Sequence, residues 1–393
     1  MNPLRINNLR IVAIGLPVIL SLSSAAQAYS LIQYENLPEN ADMDNNEATV
    51  EELEIYGTVR LSIDYGNSDL GSAPEDKSAG LTDGSVGLSS NTTTFGVRGS
   101  YALEDVPYTF VWQLEQKYRP DTDGGYTLGT RDTYLGVKTS AGLFRFGHMS
   151  TPFKLMGLRN SLFVTTAADP MAILGKSSVS GARLDLRAQN ALKWDYSFQG
   201  VQVSALYSLD GQRGSEGSSD SYIDNNDDGV YSVNLGYDAG PVRLMGAYEN
   251  WADAFGGDIS AWRIGARYNA GPIMMGVIYG DIDTDDTVVS GSLSRSEYGA
   301  YLSYKVAPKM SVAAQWMHAD ESELAAGDDD ANQYSLGVFY APYKPLTFHA
   351  VTTMTDNSDN GRYSTADYAH GDEVATVDGG SPYVFSVGAQ LKF

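Results

Sequence analysis

From Leu53 to the end of the chain, apolar and polar residues alternate at period two. In the first such stretch Leu53, Ile55, Gly57, Val59, Leu61, Ile63 and Tyr65 share one face, and Glu54, Tyr56, Thr58, Arg60, Ser62 and Asp64 share the other. In the last, Tyr383, Phe385, Val387, Ala389, Leu391 and Phe393 oppose Ser386, Gly388, Gln390 and Lys392. This period marks a strand with one apolar and one wet face. It predicts further strands near 92–103, 108–118, 131–139, 142–149, 183–196, 200–208, 230–238, 241–251, 259–269, 272–281, 297–306, 309–319, 332–341 and 345–355, sixteen in all, with no helix required.

The connections carry a second pattern. Every other one is a tight turn, such as Glu104-Asp105-Val106-Pro107, Asp238-Ala239-Gly240 or Asn269-Ala270-Gly271. Those between are mostly long and acidic: 65–91, 119–130, 209–229, 282–296, 319–331 and 356–382. Strict alternation of short and long connections is expected of a transmembrane antiparallel β-barrel, with short turns on one side of the membrane and long loops on the other. Sixteen strands enclose an aqueous channel, and closure removes the unpaired edge that lipid would not accept. The wet faces then line water. Lys or Arg on the lipid face would cost about 2–4 kcal/mol at mid-membrane. Arg60, Arg98, Lys117, Arg145, Arg183, Arg187, Arg263 and Arg267 all fall on the inward parity.

Composition adds three points. Tyr is abundant, at 26 residues, which suits strands and interfacial rings. The formal charge of −23 excludes nucleic acid as a partner, because binding it needs a basic surface. Cysteine is absent, so stability needs no disulfide. At the N-terminus, Arg5 and Arg10 precede an apolar run from Ile11 to Leu22 and the small-x-small sequence Ala26-Gln27-Ala28. Residues 1–28 therefore read as a secretory signal peptide, 29–52 as a mobile acidic segment, and 53–393 as the barrel.

Chemistry is sparse. His148, His318, His349 and His370 are scattered and form no H-E-x-x-H pair. Gly175-Lys176-Ser177 has Pro170 where a phosphate loop needs its leading Gly, and no G-x-S-x-G elbow occurs, so no enzyme is expected. Asp224, Asn226 and Asp228 space oxygen ligands as a calcium loop does, but Leu235 replaces the bidentate Glu, leaving a polar loop tip as the better reading. No cofactor is expected, beyond divalent cations that acidic loops could gather against lipopolysaccharide.

Several stretches together resemble the Gram-negative general porins. They are Ile55-Tyr56-Gly57-Thr58-Val59-Arg60-Leu61-Ser62, Thr94 to Ser100, Arg131 to Pro152, Arg187 to Asn190 followed by Tyr196 to Ser208, and the terminal Phe393. The resemblance implies a sixteen-stranded barrel in the outer membrane of a Gram-negative bacterium, usually a homotrimer. It implies passive diffusion of small hydrophilic solutes and ions, with no reaction and no energy source. It implies a third external loop, here Ser150 to Gly181, folded into the pore, and a terminal aromatic read by the barrel-insertion machinery, here Phe393. Wall bases at Arg131, Arg183 and Arg187 and an inward acid at Glu115 follow from the same match. Arg60, Arg98, Lys117 and Arg145 are added from parity. The pattern departs in two places: Thr58 stands where some members are basic, and the third loop offers one acid, Asp169, beside Lys154, Arg159 and Lys176. Ion preference therefore stays open. A substrate-selective porin for sugars or anions, and an outer-membrane adhesin on the same barrel, are the alternatives.

Overall fold

The computed structural model describes residues 52–102, 106–121, 128–178, 182–209, 229–254, 257–285, 293–323, 327–367, 369–371 and 373–393. The expected signal peptide, the expected acidic segment up to residue 51 and the Asp224–Asp228 cluster lie outside them. The strands are β1 (Glu52–Asn67), β2 (Ser85–Ser90), β3 (Thr93–Ala102), β4 (Thr109–Tyr118), β5 (Leu128–Thr130), β6 (Thr133–Thr139), β7 (Gly142–Ser150), β8 (Arg187–Phe198) and β9 (Val201–Ser208). They continue as β10 (Val230–Ala239), β11 (Val242–Ala254), β12 (Gly257–Ala270), β13 (Ile273–Thr284), β14 (Arg295–Ala307), β15 (Met310–Ala319), β16 (Ala331–Tyr343), β17 (Leu346–Asn357) and β18 (Tyr383–Lys392). β2 with β3, and β5 with β6, are single staves interrupted at Asn91–Thr92 and Arg131–Asp132, so the eighteen segments make sixteen staves.

Each stave pairs antiparallel with its neighbours, and β1 pairs with β18 on one side and with β2 and β3 on the other, which closes the barrel. Closure uses the last residue. The Phe393 and Gly57 backbones exchange N–H···O bonds of 3.0 and 3.1 Å, and the Phe393 ring lies on the outside. A β-carbon on Gly57 would come within 2.6 Å of that ring, so the close approach requires glycine here.

The predicted alternation is observed. Leu53, Ile55 and Ile63 are exposed on the outside, whereas Tyr56, Thr58, Arg60, Ser62 and Asp64 are buried within. Outward aromatics gather near the long-loop ends, where Trp262, Tyr279, Tyr298 and Trp316 contact in sequence. Others, including Tyr237, Tyr304, Tyr340 and Tyr343, lie near the short turns. Two such girdles are the expected mark of a membrane barrel.

Three expectations change. The stave predicted from 183 begins at Arg187, and residues 182–186 belong to the returning third loop, where Lys176 and Arg183 bridge. Arg183 is thus a loop residue rather than a wall base. The connection between β11 and β12, at the long-loop end, spans only two residues, so long and short do not strictly alternate. The inner face is also not uniformly wet: Met245, Trp251, Ile259, Ile278, Ile282 and Met317 are inward, buried and apolar.

Their partner is the third loop. Phe153, Met156, Leu158, Val164, Met171, Ile173, Leu174 and Leu184 pack against that wall as one cluster. Each large apolar side chain so buried contributes roughly 1.5–3 kcal/mol. Ordering a backbone residue costs roughly 1–2 kcal/mol. Apolar contact is therefore what allows the described residues of so long a connection, 151–178 and 182–186, to lie inside a barrel. The main hydrophobic core sits between loop and wall.

Candidate functional site

The third loop enters the lumen as a short helix, α1 (Pro152–Arg159). Thr151 caps it, its hydroxyl accepting the Lys154 N–H at 3.2 Å, and Pro152 fills the first turn. From there the chain is tied to the wall stave by stave. The Phe153 N–H donates to Ser232 Oγ at 3.0 Å, Asn160 Nδ2 to the Val277 carbonyl at 2.6 Å, and Tyr301 Oη to Asn160 Oδ1 at 3.1 Å. The Leu162 N–H donates to Gln315 Oε1 at 2.8 Å. Phe163 reaches β16, its ring 5.6 Å from that of Phe339.

One buried ionic node fixes the return of the loop. Arg263, on the inner face of β12, is fully buried. Its Nη1 and Nη2 donate to the two Asp185 oxygens at 2.7 and 3.1 Å, and its Nε donates to Glu297 Oε1 at 2.6 Å. Glu297 Oε2 accepts the Gly175 N–H at 2.6 Å, and the guanidinium lies 4.2 Å from the centroid of the Phe153 ring. Asp185 is therefore paired with Arg263.

The lumen wall facing the loop carries paired charges. Arg131 Nε donates to Glu115 Oε1 at 2.5 Å, and Tyr56 Oη donates to Glu115 Oε2 at 3.0 Å. The break between β5 and β6 turns two successive side chains inward, so Asp132 is buried beside Arg131. Asp132 Oδ1 accepts Arg187 Nε at 2.6 Å and Ser150 Oγ at 3.0 Å. Arg60 donates to Gln390 Oε1 at 2.7 Å and to the Thr92 carbonyl at 2.8 Å. Lys117 is half-buried at an inward position of β4. Lys154, on the first turn of α1, is buried near Arg187, Arg131 and Asp132. Burial draws its ammonium well below the ordinary lysine range, and the two arginines act the same way.

Other candidates sit elsewhere. Arg98 pairs with Glu54 at 2.7 Å near the short-turn rim, and Arg145 pairs with Asp195 lower on the wall. Asp169 does not face the lumen: its carboxylate accepts the Thr165 and Met171 N–H groups at 2.9 and 3.1 Å and caps a single 3-10 turn. Burial pushes its pKa up to about 7. The acid that meets the loop's bases comes from the last loop. Asp367 Oδ2 accepts Lys176 Nζ at 2.6 Å and Arg183 Nη2 at 3.4 Å.

The described parts of that last loop, 358–367, 369–371 and 373–382, also fold inward. The Ala366 N–H donates to the Ala167 carbonyl at 3.1 Å, Thr92 Oγ1 to the Ala369 carbonyl at 2.7 Å, and His370 Nε2 lies 3.0 Å from Asp64 Oδ2. Nothing in its acidic composition set it apart from the other long loops. Asp132 is not marked by the sequence, because the porin resemblance points only to its neighbour Arg131 and strand alternation puts adjacent residues on opposite faces.

A model of the Gram-negative porin family matches residues 15–360. The chain is a Gram-negative porin. No curated protein sequence matches it. Among solved structures, an anion-selective porin from Comamonas acidovorans superposes on this porin with a TM-score of 0.70 at 20% identity, covering 87% of this chain and 100% of that one. The trimer form of OmpT of Vibrio cholerae gives 0.61 at 18% identity, over 88% of this chain and 100% of that one. The outer-membrane channel DcaP of Acinetobacter baumannii gives 0.57 at 13% identity, over 88% and 99%. The porin thus belongs to the outer membrane, where it forms a channel. A closed barrel with an inward loop pinned to its wall is the geometry for that role.

Proposed function

We propose that this porin is a homotrimeric general-diffusion channel, without catalytic activity, whose narrowest part lies between the third loop and the wall built from β1, β4, β6 and β8. The supporting observation is the seating of the loop: hydrogen bonds and apolar contacts bind it to the inner faces of β10 to β16. Solutes pass by diffusion on the uncovered side, past Arg60, Glu115, Arg131, Asp132 and Arg187. Planar-bilayer recording of the refolded protein tests this, with stable conductance steps expected; their absence would end the proposal. Native-gel migration before and after heating reads the trimer, a state found for the Vibrio cholerae relative. The external acids, among them Asp69, Asp83, Asp283 and Asp285, would hold divalent cations against lipopolysaccharide, and a chelator would then loosen the rim.

A second reading, anion preference, is favoured by one observation. Of the two acids of the third loop, Asp169 is consumed within the loop and Asp185 is paired with Arg263, while bases line both the loop and the facing wall. In a salt gradient the reversal potential would then take the sign of the anion.

A further inference from the structure

The acidic chain conceals a basic chamber on the short-turn side of α1. Arg145 on β7, Lys193 on β8, Arg243 on β11 and Arg267 on β12 all occupy inward positions. Arg159 closes the last turn of α1 above them. The register sets like charges opposite each other twice, Arg145 against Lys193 and Arg243 against Arg267. Like charges directly opposed across an antiparallel ladder destabilise the pair. A single such pair is unremarkable, but two of them converging beneath one helix terminus is an arrangement that calls for counter-charge.

The protein supplies little. Asp195 is taken by Arg145, with Ser204 Oγ also donating to it at 2.8 Å. Asp238 accepts both forks of Arg243 at 2.6 Å, and Gln202 Nε2 at 3.1 Å. Among the described residues, no carboxylate forms an ion pair with Arg159, Lys193 or Arg267. Lys193 Nζ donates to the Ser150 carbonyl at 3.0 Å, and Arg267 Nη1 to the Arg159 carbonyl at 3.1 Å. Arg159 is half-buried. Its confinement within the barrel, with Arg243, Arg267 and Arg145 adding to the effect and Asp195 opposing it, holds its pKa down to about 10. Five cations thus share Asp195 and Asp238, both already engaged, and Asp132, which Arg187 already holds.

We propose that this chamber is an anion-binding subsite, reached from the periplasmic end, for small oxyanions carrying two negative charges. The guanidinium forks of Arg159 and Arg267 offer the paired donors that suit a phosphate or carboxylate oxygen pair. Lys193 contributes a point charge behind them. The subsite is separate from the Glu115–Arg131 and Asp132–Arg187 pairs of the narrow zone, and it rests on the channel reading. Its position gives the lumen an axial polarity, acidic at the external rim and basic at the periplasmic vestibule. Anions entering from the periplasmic side meet the attractive end first.

The probe is inorganic phosphate, added to one side of single channels carrying chloride current at about 0.1 M salt, where screening over roughly 10 Å leaves the chamber's field intact. Orientation is read from an Ala141→Cys variant labelled with an impermeant thiol reagent, since the chain has no other cysteine. Phosphate on the periplasmic side is expected to lower the chloride conductance saturably, and to need a higher concentration from the external side. Arg159→Gln with Arg267→Gln is expected to raise the half-blocking concentration about tenfold or more, the loss of charge-assisted contacts. Barrel assembly of that variant is checked separately by heat-dependent gel migration, and Arg267→Lys, which keeps the charge but not the fork, should fall between. No saturable phosphate effect from either side, or equal block in the double variant, would overturn the subsite. So would block that vanishes in Arg131→Gln and persists in the double variant, which would place the anion in the narrow zone. Loss of all conductance steps in the unmodified protein is a different failure, that of the channel reading itself.

Discussion

Replacing Arg263 by Met tests what holds the third loop in place. The side chain is fully buried and makes three charge-assisted hydrogen bonds, two to Asp185 in the returning loop and one to Glu297 on the wall. Glu297 in turn holds the Gly175 N–H. Met preserves much of the volume and the contact with Phe153 but leaves two carboxylates buried without a cation. Removing one partner of a buried ion pair costs about 3–5 kcal/mol. At 1.4 kcal/mol per factor of ten, that shifts the balance between docked and undocked loop by on the order of a hundred- to several-thousand-fold. The barrel should still close, because its ladders do not depend on Arg263. Single-channel recording should show conductance steps of altered size with greater open-channel noise. A triple variant, Arg263→Met with Asp185→Asn and Glu297→Gln, should recover most of the loss, since neutral amides do not need the cation. A quiet, unchanged conductance in Arg263→Met, or a triple variant no better than the single one, would refute the view that charge compensation at this node seats the loop.

Asp169 makes a pH prediction. Its folded-state pKa of about 7 lies above the unfolded value of about 3.9, so the folded loop keeps a proton that the unfolded chain has released. Loop stability should be greatest at the acid end and decline as pH rises to about 7. Open-channel noise should therefore grow from pH 5 to 8, and Asp169→Asn should flatten the trend; a pH-independent trace in the unmodified protein would contradict it. Gly265→Ala places a β-carbon against Asn160 Nδ2 and should displace α1, changing conductance while leaving gel-detected assembly intact. Deleting Phe393 removes the closing bonds to Gly57 and should reduce the yield of inserted barrel more than it alters the conductance of channels that form. Equal yield with altered conductance would count against that role.

Much of the barrel was legible because lipid and water impose opposite demands on successive residues. β1 and β18 show this cleanly: from Leu53 to Tyr65 and from Tyr383 to Leu391 each outward residue is apolar, and the register joins Val59 to Leu391 and Ile63 to Val387. The rest required contacts that alternation does not encode. In β13, Ile273-Met274-Met275-Gly276-Val277-Ile278 is apolar on both faces, because one meets the exterior and the other meets the third loop. A stave break brought Asp132 inward beside Arg131, against simple parity. Arg183 looked like a wall base because the loop's return continues directly into β8. The pairing of Asp64 with His370, and of Lys176 with Asp367, depends on a last loop that folds inward from far along the chain. Hairpin register alone, by contrast, could have set Arg243 opposite Arg267 and drawn attention to the basic chamber.

The apolar inner wall beneath the third loop limits what that loop can do. Were it to swing away, Met245, Trp251, Ile259, Ile278, Ile282 and Met317 would become the lining of a water column. A bare greasy half-pipe tends to shed water, and a conduit that dries stops conducting. Full departure of the loop would therefore not simply widen the passage; it would invite a vapour-like plug on the very side just vacated. The loop is better understood as the lining that keeps this half of the tube wettable.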